Sequence, residues 1–363
     1  MRIVLFFLLA VSTSASLANE LKKTAQATQK PLQILATIKP LYLLASEIAG
    51  KSATTALLIP ATMDTHDYSF RPSDLRKLAR TDVILRISPH LETFLNNVIE
   101  KSPDKHLITL EQTAGLHWLD IRAGHHHAHE QHHAHQPIQH SEHDYHIWLD
   151  PVQVGLLVDE ISRQLSQLDP AHAPQYSRNS QQLKQRIDAA YRQSQQQLQS
   201  LQETPYLVFH DAWHYLEHAY GLRQPHILSL QEGLPPGLKT MLELRQHIRE
   251  EKIHCLIASP HSNKRLIQSL VEDLPVQAYW LSPVATNRQT SSYANWMRDT
   301  AQQFAGCLSN SRRKFSQGSQ EKNKSESGTS VPPGLAQSQN NHQHSRLNRQ
   351  ASHQPVQPQT EPP

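Results

Sequence analysis

The sequence predicts an α/β protein of two lobes, each made of parallel βαβ units, joined by a long backbone helix. Two observations carry that expectation. Short β-favouring apolar runs alternate with helix-patterned stretches, which is the signature of strands paired in parallel through crossover helices. The alternation occurs twice, and residues 151–202 between the two series are almost wholly helical in propensity and rich in Gln.

In the first series, Leu32–Ile38 is a strand followed by Lys39-Pro40, and Leu41–Ala49 has helical spacing that stops at Gly50. Thr54–Ile59 is a second strand. Ser73–Arg80 is helical, with Ser73 in the N-cap position before Asp74. Val83–Ile87 and His106–Leu110 complete the series as strands. Asp150-Pro151 is expected to start a helix, and Asp169-Pro170 to break it and begin the next, with Asp as N-cap and Pro at the first helical position. Ala171–Gln202 then reads as one helix of roughly 45 Å, long enough to touch both lobes and to limit their hinging. The second series comprises strands at Tyr206–Phe209, His226–Leu230, Cys255–Ala258 and Gln277–Leu281. Its helices are expected at Ala212–Tyr220 (ended by Gly221), Lys239–Glu250, Lys264–Asp273 and Tyr293–Leu308.

These elements divide the chain into a lobe at 31–170, a linking helix at 171–203 and a lobe at 204–310. Arg2, the apolar Val4–Val11 and the small-residue Ser16-Leu17-Ala18 form a secretory signal peptide over residues 1–18, too short to span a bilayer, with no cysteine after it to carry lipid. From Ser311 to Pro363 apolar periodicity gives way to Gln, Ser, Asn, Pro and charge, so the tail is expected to be disordered, and its His342, His344 and His353 to be solvated. The net charge of +3 is not gathered into a basic and aromatic patch, which argues against nucleic acid as a partner. The two cysteines, Cys255 and Cys307, are expected to pair after export to an oxidising compartment, closing a long loop and contributing on the order of 3–4 kcal/mol.

Histidine carries the chemistry. A run begins at His125 and ends in His146-Ile147-Trp148-Leu149-Asp150-Pro151, passing from a metal-collecting segment at 122–144 straight into folded sequence. Neutral imidazole is the commonest protein ligand for zinc and its borderline neighbours. Three histidines recur at strand ends or helix mouths: His66 in Asp64-Thr65-His66-Asp67-Tyr68, His146, and His210 directly after Tyr206–Phe209. In open α/β sheets ligands bind beyond the carboxyl ends of the strands, so the three face the cleft between lobes and define a metal site there.

The phrases His66-Asp67-Tyr68-Ser69 through Arg71-Pro72-Ser73-Asp74-Leu75, His146 to Pro151, and Phe209-His210-Asp211-Ala212-Trp213 resemble the zinc-specific substrate-binding proteins of bacterial ABC importers, the ZnuA type. The likeness runs from about Leu32 to Leu308 and includes the histidine-rich loop before the second phrase; the two cysteines match a disulfide of the family's C-terminal lobe. The resemblance implies two α/β lobes on a long helix, one zinc in the cleft, and His66, His146 and His210 as its ligands. Many relatives place a carboxylate at one of two positions that here read Thr65 and Ser282, neither a good zinc ligand. The fourth coordination position therefore falls to water first, then to a loop histidine (His125, His126, His127, His129, His132, His133 or His135), then to His261 after a C-lobe strand. His214 is set aside because His210 is expected at the helix mouth, not on a shared helical face.

Three imidazoles without a carboxylate suit zinc or copper(II), whereas manganese wants oxygen ligands. The expectation is a monomeric periplasmic receptor, not an enzyme, that hands Zn2+ to a membrane permease driven by a cytoplasmic ATPase, with the loop as a low-affinity collector. A zinc-dependent hydrolase and a stand-alone periplasmic zinc buffer are the alternatives. The hydrolase lacks an evident general base, since Asp211 reads as a helix cap and Asp67 as a loop hydrogen bonder. Trp148, Trp213 and Trp280 read as lobe core, and Glu232 as part of a solvated turn.

Overall fold

Two sheets of four strands, both wholly parallel, carry the structure. The computed structural model describes residues 30–63, 68–122, 143–229, 237–286 and 290–326, with side chains to Asn310. The first sheet holds β1 (Leu32–Ala36), β2 (Ala53–Leu57), β3 (Val83–Arg86) and β4 (His106–Thr109) in the order β2-β1-β3-β4. The second holds β5 (Leu207–His210), β6 (His226–Ser229), β7 (Cys255–Ala258) and β8 (Gln277–Trp280) in the order β6-β5-β7-β8. The same order twice means that each half reverses direction across its sheet after the second strand, between β1 and β3 and between β5 and β7. Central β3 and β7 are buried at every position, as expected of strands covered on both faces. Edge strand β2 instead alternates towards solvent.

The helices are α1 (Lys39–Ala49), α2 (Pro72–Ala79), α3 (Thr93–Glu100), α4 (Pro151–Leu168), α5 (Ala173–Leu198), α6 (His214–Tyr220), α7 (Leu238–Glu250), α8 (Lys264–Val271) and α9 (Tyr293–Glu326). Asp150 caps α4 as the sequence implies, its side chain accepting from the backbone N–H of Val152 and Gln153. Several boundaries differ from expectation, and two of them have a visible cause. α2 starts one turn position earlier, with Arg71 and not Ser73 as N-cap, because the Asp74 carboxylate reaches back to the Arg71 N–H at 2.9 Å. α5 starts at Ala173, because Asp169 turns its carboxylate to the Tyr176 hydroxyl and to His172 and so fixes the corner instead of capping from it. That leaves α5 at 26 residues, about 39 Å, with a 3-10 turn at Gln199–Leu201 finishing the segment. α3, which the alternation of runs does not predict, inserts between β3 and β4.

α4 and α5 form an αα-hairpin. Near its start α5 donates from Asn179 Nδ2 to the Ile48 carbonyl at 2.9 Å and pairs Arg186 with Glu47 at 2.8 Å; further on, the Tyr191 hydroxyl donates to Ala219 O at 2.8 Å. One helix thus touches α1 of the first half and α6 of the second. Gly221 ends α6 at φ 64°, where a side chain would also collide with Gln202, so the left-handed turn needs glycine.

One continuous apolar core contains residues of both sheets, among them Leu35, Ile84, Trp148, Leu183, Val208 and Ile257. A second cluster, including Leu207, Leu256 and Ile267, fills the other face of the second sheet. α9 starts against the first half, where the Tyr293 N–H donates to Glu47 at 2.8 Å and its hydroxyl to the Trp148 carbonyl at 2.7 Å. The Cys255–Cys307 disulfide then ties α9 to β7, with the two Cα atoms 5.2 Å apart. α9 runs on to Glu326, well past Leu308, through Arg-, Lys-, Gln- and Glu-rich sequence of good helix propensity, so residues 311–326 are helical where a disordered tail was expected. No helix among the described residues is long and apolar enough to cross a membrane. Trp148 and Trp213 are core, but Trp280 is exposed at 39 %, with Lys264 lying over its ring.

Candidate metal centre

His210 is the last residue of β5, not the first beyond it, and so stands at the carboxyl end of the strand beside which the second sheet reverses. A small open cavity is lined there by His210, Trp213, Ile257, Ser259, Leu281 and Pro283, from segments at the ends of β5, β7 and β8. This is the position at which open parallel sheets bind ligands.

His146 approaches from the first half. It precedes a 3-10 turn at Ile147–Leu149 whose three residues are all buried, and Trp148 Nε1 donates to the Pro283 carbonyl at 2.7 Å. The phrase His146 to Pro151 is therefore a wedge: its apolar part anchors in the core, a hydrogen bond ties it to the rim of the second-half cavity, and its Asp-Pro end starts α4. The His146 and His210 rings lie edge to face with centroids 6.0 Å apart. Two imidazoles on one tetrahedral zinc, at 2.0–2.1 Å per bond, have centroids roughly 5 Å apart. A closing movement of about 1 Å brings them to that separation.

Asp144 sets the orientation of His146. Its Oδ1 lies 2.6 Å from Nδ1 and accepts the His146 backbone N–H at 2.9 Å. Burial pushes the Asp144 carboxyl up, but the charge and hydrogen bonds of His146 outweigh burial and hold it below the usual range. With Nδ1 protonated towards Asp144, the imidazole lone pair sits on Nε2, the arrangement that presents a histidine to a metal. Asp144 Oδ2 also lies 3.9 Å from His214 Nδ1. His214 opens α6 while His210 belongs to a strand, so the two share no helical face. Burial, then the nearby Arg122 charge, keeps His214 below the normal imidazole range.

The histidine-rich segment is anchored at both stems. On one side the partly buried Arg122 pairs with Asp211 at 2.9 Å and with Glu217, reaching across to the second half. On the other, His143 bridges Asp120 in a short antiparallel contact and stacks on Trp118. The Tyr145 hydroxyl donates to Glu111, which also accepts from Ser88. Fully buried Glu92 accepts from Thr37 and from the backbone N–H groups of Ile87 and Ser88, fixing the loops at the ends of β1 and β3.

His66, with Thr65, lies outside the described residues, as do His125, His126, His127, His129, His132, His133, His135, Glu232 and the tail histidines. The flank of the His66 phrase is described: the Tyr68 hydroxyl donates to buried Asp74 at 2.6 Å, and the same oxygen accepts the Arg71 N–H. Asp74 thus explains why Tyr68, Arg71 and Asp74 occur together. Ser282 Oγ is used locally, accepting from Val284 N, and His261 is exposed, with its own N–H donating to Ser259. Asp211 serves as the partner of Arg122 and not as a helix cap, since Trp213 holds that position. Asp144, Arg122, Glu92 and Glu111 escaped sequence reasoning; the Asp-x-His spacing before a ligand phrase is the one local signal that could have found Asp144.

Residues 34–307 match the family model "ZnuA: Zinc-uptake complex component A periplasmic". The chain belongs to the ZnuA family. It is 30 % identical over 287 residues to the high-affinity zinc uptake system protein ZnuA of Haemophilus ducreyi, an alignment covering 76 % of this chain and 93 % of that one. To the protein of the same name from Yersinia pestis it is 25 % identical over 288 residues, covering 76 % and 91 %. A crystal structure of ZnuA superimposes with a TM-score of 0.65 at 20 % identity, covering 77 % of this chain and all of that one, which shows the shared two-lobed fold. ZnuA proteins are uptake components, which favours a carrier over a hydrolase.

Proposed function

We propose that this ZnuA-family chain is a high-affinity periplasmic receptor that captures Zn2+ as cargo and delivers it to the permease of an ABC importer with its ATPase. The observation that carries the reading is the approach of His146, oriented by Asp144, to His210 at the carboxyl end of β5. His66 supplies the third imidazole. The fourth position falls to water first, then to a histidine of the 122–144 loop, then to His261, while Ser282 is a poor zinc donor whose Oγ already accepts from Val284 N. The ligand set favours zinc over manganese, because imidazoles without carboxylate are a borderline-metal donor set.

The domain reading that accompanies it is a first lobe ending at the α4–α5 hairpin, α5 as the connecting helix, and a second lobe from β5. The continuous core favours a small closing motion over a wide hinge. The 123–142 segment collects zinc loosely and passes it to the site.

The test is competition against a chelator of known zinc affinity. Replacing His66, His146 or His210 singly by Ala should weaken the tight site by at least about 100-fold, more than the loss usual for an outer-shell partner. Tight binding unchanged in His146→Ala and His210→Ala would remove the assignment. Deleting residues 123–142 should leave one tight site and slow its loading from dilute zinc.

A further inference from the structure

His226, His247 and Glu251 form a second group of metal-ligand side chains at the opposite end of the second sheet from His210. His226 is the first residue of β6, whereas His210 is the last of β5, and the two strands are parallel. One ligand atom from each of the three residues lies within 4.8 Å of the others. Nε2 of His226 is 2.8 Å from Glu251 Oε1, and Nδ1 of His247 is 3.7 Å from the same oxygen. The two imidazoles stack, with centroids 4.5 Å apart and planes 25° from parallel.

We propose that His226, His247 and Glu251 bind a borderline divalent cation of the zinc type, as a surface site separate from the cleft. Donor atoms around a tetrahedral zinc with 2.0–2.1 Å bonds are about 3.4 Å apart, so the observed separations bracket what the ion requires. Two imidazoles and one carboxylate are an established donor set for zinc, with water completing the tetrahedron. The set is unsuited to calcium or magnesium, which take oxygen ligands.

The backbone places the donors on its own account. His247 and Glu251 are four residues apart across the end of α7 and therefore share a face, with Glu251 at the C-cap. The carbonyl-rich end of a helix favours a cation. All three side chains are partly exposed, so the ion can enter without disturbing the core. The competitor is Arg223, whose Nη2 holds the other Glu251 oxygen at 2.5 Å. Arg223 orients the carboxylate, but its charge opposes a divalent cation.

The experiment uses the full chain carrying His210→Ala, so that the cleft does not dominate. Zinc bound per chain is measured by equilibrium dialysis, and the ion is located by anomalous scattering at the zinc edge in zinc-soaked crystals. The expected result is an anomalous peak between the three side chains and the loss of one zinc per chain in His226→Ala/His247→Ala. Arg223→Gln should tighten this site several-fold by removing the competing charge, an effect that a purely structural ion-pair cluster has no reason to show. An unchanged zinc count in the double variant, or zinc density confined to other histidines, overturns the proposal. Neither result bears on the cleft site, which is tested with His226 and His247 intact.

Discussion

Asp144 holds His146 by two atoms at once, with one carboxylate oxygen 2.6 Å from Nδ1 and 2.9 Å from the backbone N–H of the same residue. That grip fixes both the tautomer and the ring direction of a proposed ligand. Asp144→Asn keeps the shape and removes the charge, and should weaken zinc binding about 10- to 100-fold while leaving the fold intact. Chelator competition together with circular dichroism checks it. An affinity equal to that of the unmodified chain would mean that Asp144 serves only the loop.

Arg122 lies between buried Asp211 and Glu217 and joins the stem of the histidine-rich segment to the second half. Arg122→Gln leaves two buried carboxylates without their cation. At pH 8 the loss in unfolding free energy should be about 3–5 kcal/mol. Urea denaturation reads this directly, and a loss below about 1 kcal/mol, the range of an exposed pair, would count against a buried clamp.

Burial pushes the Glu217 carboxyl up to about 7, against the opposing pull of Arg122. The folded state therefore holds the Glu217 proton more tightly than the unfolded state does. Stability from that proton is fully present below the ordinary carboxyl range and is lost as pH rises through about 7. Glu217→Gln should accordingly gain stability relative to the unmodified chain between pH 5 and pH 8. A difference between the two that stays flat over this range would contradict the shift.

The Cys255–Cys307 bridge closes a loop with a sequence separation of 52 and joins β7 to α9. Replacing both cysteines by Ala should lower stability by roughly 4 kcal/mol on the loop-entropy account. Because α9 also packs on the first half through Tyr293, the double variant should still fold and still bind zinc in the cleft. Loss of zinc binding in a folded double variant would show that the bridge shapes the site as well as the lobe.

The alternation of runs such as Leu32–Ala36 and Cys255–Ala258 with amphipathic helices was readable because parallel crossovers impose it locally. His146 and His210 were readable for the same reason, as residues at the ends of strongly patterned segments. Ser73 misled as a cap because the choice between Ser73 and Arg71 turned on Tyr68 and Asp74 meeting through space. Asp169 misled likewise, since its carboxylate had three uses and the Tyr176 hydroxyl, nearly two helical turns on, decided between them. Trp280 reads as core from sequence because hydrophobicity alone does not tell an edge strand from a central one.

The sequence by itself determined the two-fold series of βαβ units, the cysteine pair, and the place of His210 at a strand end, because each depends on residue type and short-range period. The tertiary structure decided the rest. It packed α9 back onto the first half, set Arg122 against Asp211 and Glu217, turned Asp144 onto His146, and gathered His226, His247 and Glu251 at the far end of the second sheet. Partners distant in the chain meet only after the sheets and helices have packed, so the charge that orients a ligand leaves little local trace in sequence.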